Sequence, residues 1–362
     1  MKILYVITGL AQGGAERVVC DLADKMYEKG YEVKIVYLTG EVITQPIHKE
    51  IELLSVALIN AVMLPKAYFT LSKLIKDFKP DIIHAHMVHA NILTRLVRLI
   101  TPMNKLICTA HSNNEGGTLR MIAYRITHSL ASISTNVSQN AVVAFENKRA
   151  APKGGMEVVY NGIDLNRFYF DSESRVKIID ELKIENNCKV ILTVGRFSDE
   201  KDYPNLLKSI FLLKQKVAYP FKLLIAGDGE LRHEIENLIN DLNLNKEVVL
   251  LGRRNDIPKL MSAADLFVLP SKYEGFGLVV AEAMACKCLV IATNSGGVAE
   301  VVGDAGYLVD PGNSNSLAKA METALSISDI DAKELKCRAY QRVLENYSLK
   351  AAVNKWLHLY QL

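Results

Sequence analysis

Glu274 and Glu282 stand eight positions apart in the stretch SKYEGFGLVVAEAMAC, with Gly275, Phe276 and Gly277 between them and an apolar run behind. The run before them, DLFVLP, reads as a fully apolar strand ending at Pro270, and the pattern after it predicts a helix starting near Leu278. Glycines at a helix start let outward-pointing amides approach an anion closely, so this turn is a natural seat for phosphate. Glu282, about one turn into that helix, is placed to accept hydrogen bonds from ribose hydroxyls. Glu274, on the loop before it, is closer to the cleft, where it could grip a sugar. Taken singly, each glutamate also has a plainer reading, as a solvated loop carboxylate or as a charge complementing the helix dipole.

Three further stretches bear on anionic ligands. In TVGRFSDEKDYPNLLKSI an apolar strand stops at Gly195 and is followed by Arg196 and then Lys201. Two cations at a strand's carboxyl end can neutralise a diphosphate leaving group without a metal. In TGLAQGGAERVV the pair Gly13 and Gly14 opens a helix that carries Glu16, and this loop also admits close approach by an anion. It is not the G-x-G-x-x-G fingerprint, which argues against a nicotinamide cofactor. AGDGELR reads as a βα turn on the rim of the same ligand-binding edge.

Histidines cluster in the first half. His84 and His86, two apart in DIIHAH, share one face of a strand, and His111 ends the strand KLICTAH. No acidic residue stands at a familiar ligand spacing with them, so polar substrate contacts are favoured over a metal site. His84 reads equally well as a satisfied, buried histidine, and His111 is the better placed to touch a reacting sugar. The Asp329-x-Asp331 pair precedes a helical segment and is expected to cap it rather than bind a divalent metal.

These residues need elements to carry them. Short β-branched runs ending in Gly, Asn or His alternate with helix-period segments, the pattern of parallel strands joined by crossover helices, and the series occurs twice. Two α/β domains follow, over residues 1–165 and 166–347, joined near VVYNGIDLNRFYFDSESR. The terminal segment 348–362 follows another helix with no strand between and is expected to pack back on the first domain. Two doubly wound sheets would present their strand ends to a ligand cleft between them.

Composition sets the limits. At 362 residues the chain is longer than a single core usually supports. A net charge of +3 and 23% charged residues argue against a nucleic-acid binder. The 6 cysteines are scattered, as buried thiols of a cytoplasmic protein are. MKILYVITGLA reads as a first strand rather than a signal peptide, because Glu16 and Arg17 follow closely. The longest apolar run, LLSVALINAVML, is well short of the roughly 20 residues of a membrane helix.

In this order the pieces resemble the family-four retaining glycosyltransferases of the GT-B fold, of the bacterial surface-glycan type, along essentially the whole chain. The matching stretches are GGAE at Gly13 to Glu16, HAH at His84 to His86, His111, YNGID at Tyr160 to Asp164, Arg196 with Lys201, GDGELR at Gly227 to Arg232, and EGFGL with the second glutamate at Glu274 to Glu282. The resemblance implies that Arg196 and Lys201 hold the diphosphate of a nucleotide-sugar donor and that Glu282 holds its ribose. It also implies that Glu274, with the amides of Gly275, Phe276, Gly277 and Leu278, contacts the transferred sugar. Gly14 would approach the donor phosphates, and His111 would sit beside the anomeric carbon. Such enzymes are thought to attack on the leaving-group face, with a leaving phosphate oxygen taking the acceptor's proton, so neither an enzymic nucleophile nor a metal cofactor is needed. Gly13, Glu16, His84 and His86 remain candidates on the acceptor side. One departure is local: where the family often has glycine and then proline after AEAMAC, this chain has Lys287 and Leu289.

The expected reaction moves a hexosyl or N-acetylhexosaminyl group from a nucleotide sugar, most simply a UDP-sugar, to a glycan or lipid-linked oligosaccharide in polysaccharide or lipopolysaccharide synthesis. In KAYFTLSKLIKDFK, Leu71, Leu74, Ile75 and Phe78 follow helical spacing among Lys66, Lys73, Lys76 and Lys79, as in a helix lying on anionic lipid. That suggests a cytoplasmic protein peripheral to the inner membrane; the plainer reading makes the stripe core and the lysines a solvated face. The alternatives are a nucleotide-sugar epimerase of the same fold, which needs no acceptor, and a non-catalytic nucleotide- or glycan-binding protein.

Overall fold

The structure, a computed structural model, describes residues 1–113 and 115–361. It forms two compact units: the first runs from Met1 to Gly162 and takes in the terminal helix Leu349–Gln361, and the second spans Ile163–Ser348.

The sheet of the first unit contains β1 (Lys2–Ile7), β2 (Glu32–Tyr37), β3 (Glu52–Ser55), β4 (Ile82–His86), β5 (Lys105–Ala110), β6 (Ile133–Asn136) and β7 (Glu157–Val158). All pairs are parallel, in the order β3-β2-β1-β4-β5-β6-β7. Successive side chains of β1 point to opposite faces. Ile3, Tyr5 and Ile7 join a core with Val19, Leu22 and Met26 of the Gly14–Glu28 helix and with Val353, Trp356 and Leu359 of the terminal helix. Leu4 and Val6 face the other way, against Leu71, Ile75 and Phe78 of the Leu64–Phe78 helix and Leu93 and Val97 of the Val88–Val97 helix. Burial on both faces is why these strands read as continuous apolar runs.

The second unit repeats the plan with β8 (Lys189–Val194), β9 (Phe221–Ala226), β10 (Val248–Gly252), β11 (Leu266–Leu269), β12 (Leu289–Thr293) and β13 (Tyr307–Val309), ordered β10-β9-β8-β11-β12-β13 and parallel throughout. In each sheet the chain order reverses once, between β1 and β4 and between β8 and β11. Loops leaving such a pair diverge, and ligands of doubly wound sheets bind at the crevice this opens.

Two of the sequence readings are decided by the fold. On the Leu64–Phe78 helix the plainer one holds: Leu71, Ile75 and Phe78 are buried in the core, because the helix lays this stripe against the sheet. The face turned outward carries Lys66, Phe69, Lys73 and Lys76 instead. The helix Asp329–Arg342 is capped by Ser328, not by an aspartate: Ser328 Oγ accepts from the Asp331 amide at 3.2 Å and donates to Asp331 Oδ2 at 2.7 Å. Asp329 and Asp331 lie in the first turn, where negative charge complements the dipole. Among the described residues no helix is long and apolar enough to cross a membrane.

Trp356 is 5% exposed and lies 4.4 Å, centroid to centroid, from the His84 ring, so it anchors the terminal helix on the sheet. Trp356→Ala is expected to lower the unfolding free energy of the first unit by about 3–5 kcal/mol. Urea unfolding followed by circular dichroism measures this, and a loss under about 1 kcal/mol would mean that the helix docks by other contacts.

Candidate active site

In the second unit, the loops leaving β8 and β11 carry the two cations and the first glutamate. After β8 the chain passes Gly195 and Arg196 and enters a 3-10 turn, Asp199–Lys201; after β11 it runs through Pro270 and Ser271 to Glu274. The two loops are tied main chain to main chain, with the Lys272 amide donating to the Glu200 carbonyl at 2.8 Å. Lys201 Nζ donates to Glu274 Oε1 at 2.5 Å, and Ser271 Oγ donates to the same oxygen at 2.8 Å. With side chains 24% and 13% exposed, this ion pair is partly withdrawn from water. An ammonium has three donors, and Glu274 engages one of them.

Arg196 is more open. Its Nε and Nη2 reach Glu230 Oε2 at 3.2 and 3.1 Å, and the two side chains are 70% and 53% exposed. Glu230 belongs to the turn after β9, and the Phe197 amide bonds the Asp228 carbonyl of that turn at 3.0 Å. The structure therefore brings Lys201 together with Glu274 and Arg196 together with Glu230, where sequence spacing gave the two cations one shared role and the glutamates separate ones.

Behind Glu274 comes a segment that the sequence reading passed over. Gly296, at φ +57°, lies so close that a Cβ there would overlap the Glu274 carbonyl, and the Gly297 amide donates to the Gly275 carbonyl at 3.2 Å. The signal was the Ser-Gly-Gly run after β12, a strand end like the others. Gly277 takes φ +87° as the N-cap of the Leu278–Ala285 helix, which carries the half-buried Glu282. Just past the Cys286 C-cap of that helix, Lys287 adopts φ +55°, the left-handed region that favours glycine; its ammonium lies 5.2 Å from the Tyr340 ring centroid.

In the first unit the histidines divide. His84 and His86 stack with centroids 3.9 Å apart, and both are 0% exposed. His84 Nδ1 bonds Tyr360 Oη at 2.8 Å, which bonds Tyr5 Oη at 3.1 Å; His84 Nε2 bonds Thr109 Oγ1 at 2.7 Å, which bonds Thr135 Oγ1 at 2.7 Å. With both nitrogens engaged inside the core, His84 is structural, and the expectation of an acceptor contact is corrected. His86 has no exposed surface either, so it cannot touch an acceptor; its Nδ1 lies 3.0 Å from His111 Nε2. His111 is partly exposed at the end of β5, with its amide donating to Glu115 Oε1 at 2.6 Å. Tyr124 Oη holds the other oxygen of Glu115 at 2.5 Å and accepts from Asn91 Nδ2 at 2.9 Å. Burial pushes all three imidazoles down, His111 to about 4 and the other two well below the ordinary 6.5.

Gly13 is the exposed N-cap of the Gly14–Glu28 helix, and the Glu16 carboxylate folds back against it. Burial raises the Glu16 pKa, opposed by a hydrogen bond to its own main chain. The amino end of this helix is thus occupied by the chain's own carboxylate, which competes with any anion approaching Gly14. Among the described residues no group of three or more His, Cys, Asp or Glu could hold a metal ion.

Comparison with known proteins gives the arrangement a family. Residues 12–167 match Glycosyltransferase Family 4, and residues 174–342 match Glycosyl transferases group 1. The chain belongs to the family-four glycosyltransferases. A Campylobacter jejuni relative, N-acetylgalactosamine-N,N'-diacetylbacillosaminyl-diphospho-undecaprenol 4-alpha-N-acetylgalactosaminyltransferase, is 28% identical over 342 residues, 90% of each chain. The Escherichia coli UDP-Gal:alpha-D-GlcNAc-diphosphoundecaprenol alpha-1,3-galactosyltransferase is 26% identical over 82% of this chain and 79% of its own. Among solved structures, Anabaena HepE in complex with UDP and glucose has a TM-score of 0.85 at 22% identity, covering 100% of both chains. A glycosyltransferase from Rickettsia africae has a TM-score of 0.87 at 24% identity, covering 99% of this chain and 97% of its own. The protein is a glycosyltransferase, and each of its units is a Rossmann-like half of the GT-B fold.

Two outcomes test this geometry. Gly296→Ala forces strain at a positive φ and a clash with the Glu274 carbonyl, so the variant is expected to lose about 2 kcal/mol or more of second-unit stability by urea unfolding; a variant as stable as the parent would show that the loop yields freely. The depressed imidazoles set a pH dependence. The unfolded chain binds protons near pH 6.5 that the folded chain refuses, so stability holds above pH 6.5 and falls as the pH drops toward 4, by about 1.4 kcal/mol per pH unit for each buried imidazole. His84→Gln should flatten this slope, measured as urea midpoints from pH 8 to 4.5.

Proposed function

We propose that this glycosyltransferase moves a hexosyl or N-acetylhexosaminyl group from a UDP-sugar to a lipid-linked glycan, with retention of configuration and without a metal ion. The observation that carries the reading is the Lys201–Glu274 ion pair at the reversal point of the second sheet, with the exposed Arg196 on the loop that leads from β8 to Lys201, so that a diphosphate could meet a cation there with a carboxylate beside it for sugar hydroxyls. The names of the Campylobacter and Escherichia relatives, which act on diphospho-undecaprenol-linked sugars, support a lipid-linked acceptor. UDP-galactose in the latter name supports the donor class.

In this reading Glu282 takes the ribose hydroxyls, and the amides at Gly275 to Leu278 approach the donor. The bond from the anomeric carbon to the diphosphate breaks as the acceptor oxygen bonds the same face, and the departing phosphate oxygen accepts the acceptor's proton. Arg196 and Lys201 stabilise the charge that develops on the leaving group. Neutral His111 contributes a directed hydrogen bond to the sugar rather than a cation. The outward Lys66, Phe69, Lys73 and Lys76 would give the first unit a basic face toward anionic lipid, with Phe69 64% exposed among them.

Thermal unfolding with UDP, GDP, ADP and NAD, each with and without EDTA, tests the donor site. A ligand at 100 times its Kd adds about 2.7 kcal/mol, a rise of several degrees for domains of this size. A UDP-selective shift unaffected by EDTA is expected, lost in Lys201→Ala and reduced in Glu282→Ala, both of which should also slow turnover without unfolding the protein. A shift abolished by EDTA would overturn metal independence, and a shift with GDP or ADP alone would overturn the donor.

A further inference from the structure

We infer that His86 is a positioning residue that holds His111 as its Nδ1–H tautomer. The link to turnover rests on the proposed role of His111 at the sugar; the hold itself does not.

His86 Nδ1 and His111 Nε2 are 3.0 Å apart, a hydrogen bond in which one nitrogen must carry the hydrogen and the other the lone pair. Burial keeps both rings neutral at pH 7, so each has a single N–H to place. If His111 were the donor, the proton of His86 would sit on Nε2. That atom is buried and meets no hydrogen-bond partner among the described residues, while the His84 ring stacks against the same imidazole at 3.9 Å. A buried N–H without an acceptor is among the costliest polar arrangements, more so than an unused lone pair. The arrangement that avoids it puts the hydrogen on His86 Nδ1, donating to His111 Nε2. His111 is then left with its hydrogen on Nδ1, a donor for a hydroxyl or phosphate oxygen.

The surroundings make this hold rigid. His86 cannot turn, since it lies between His84 at 3.9 Å and His111 at 5.3 Å with Tyr5 6.0 Å away. His84 is itself pinned at both nitrogens, by Tyr360 and Thr109. On the other side Glu115 fixes the main chain of His111 at 2.6 Å, and Tyr124 fixes Glu115. His111 is thus held by its ring through His86 and by its backbone through Glu115. The histidine that touches no ligand decides which hydrogen the exposed histidine offers.

The test uses the full chain labelled with 15N-histidine. Long-range 1H–15N correlation spectra distinguish imidazole tautomers, and His111→Gln identifies the His111 signals by their loss. The parent is expected to show His111 as Nδ1–H. His86→Leu, similar in size and unable to donate, should shift His111 toward a mixture or the Nε2–H form. His86→Asn, whose amide N–H can take the place of Nδ1–H, should restore the parent signals. Turnover, followed as UDP release from UDP-N-acetylgalactosamine, should fall roughly 10–100-fold in kcat for His86→Leu, with donor KM little changed and most of the rate recovered in His86→Asn. An Nε2–H signal for His111 in the parent overturns the inference, a measurement that needs no variant to fold. So do unchanged His111 signals in a folded His86→Leu protein. A changed tautomer with unchanged turnover supports the hold and instead removes His111 from the sugar.

Discussion

Lys201 and Glu274 lie 73 residues apart in the chain, yet their 2.5 Å ion pair joins the loops leaving β8 and β11 where the order of the sheet reverses. A partly buried pair of this kind is expensive to desolvate and keeps its geometry only if its remaining bonds are made. Ser271 makes one of them, and the main-chain bond from Lys272 to Glu200 keeps the two loops from separating. Gly296 then limits what can stand behind Glu274. In the proposed reading the donor-side chemistry would depend on this joint, because it fixes a cation and an acceptor at one spot before any substrate arrives, and interactions that need no reorganisation contribute most to lowering a barrier.

The first unit makes a related joint from neutral groups. Beneath its terminal helix runs a chain of them, Tyr5, Tyr360, His84, Thr109 and Thr135, each within hydrogen-bond reach of the next. Such a chain is favourable only when its members are satisfied, and it draws the terminal helix into the sheet through Tyr360. The helix that closes the sequence therefore stabilises the strand carrying His86, and through it the ring of His111. Packing, hydrogen bonding and the exposed functional edge are one structure here rather than three.

Much of this was legible in the residues. Parallel strands buried on both faces leave continuous apolar runs, so β1, β4, β5, β8, β9 and β11 could be read directly, and the glycines around Phe276 announced a helix start. The stripe on Leu64–Phe78 was legible as a stripe, but periodicity gives the angle between residues and not the partner that covers them, so core and lipid both remained open until the sheet was seen to cover it. Likewise HAH places two imidazoles on one face without saying that this face is interior. β3 is only four residues long and too short to separate from the apolar run around it. The pairings of Lys201 with Glu274 and of Arg196 with Glu230 were invisible, because they depend on which strands are neighbours, and neighbours in these sheets are not neighbours in sequence.

The two cations differ in a way that bears on how an anion would be taken up. Arg196 and Glu230 form an exposed pair, the kind worth under about 1 kcal/mol, so a diphosphate can displace Glu230 at little cost and gain a bidentate partner. Lys201 sits deeper, and stripping it from Glu274 would leave a half-buried carboxylate uncompensated. The lower-cost arrangement keeps that pair intact and lets phosphate use the ammonium's other hydrogens. In the proposed reading Glu274 would then keep its orientation as an acceptor for sugar hydroxyls. In this division of the proposed roles Arg196 would capture and release, Lys201 would position, and Glu274 would not have to lose its partner for a substrate to bind.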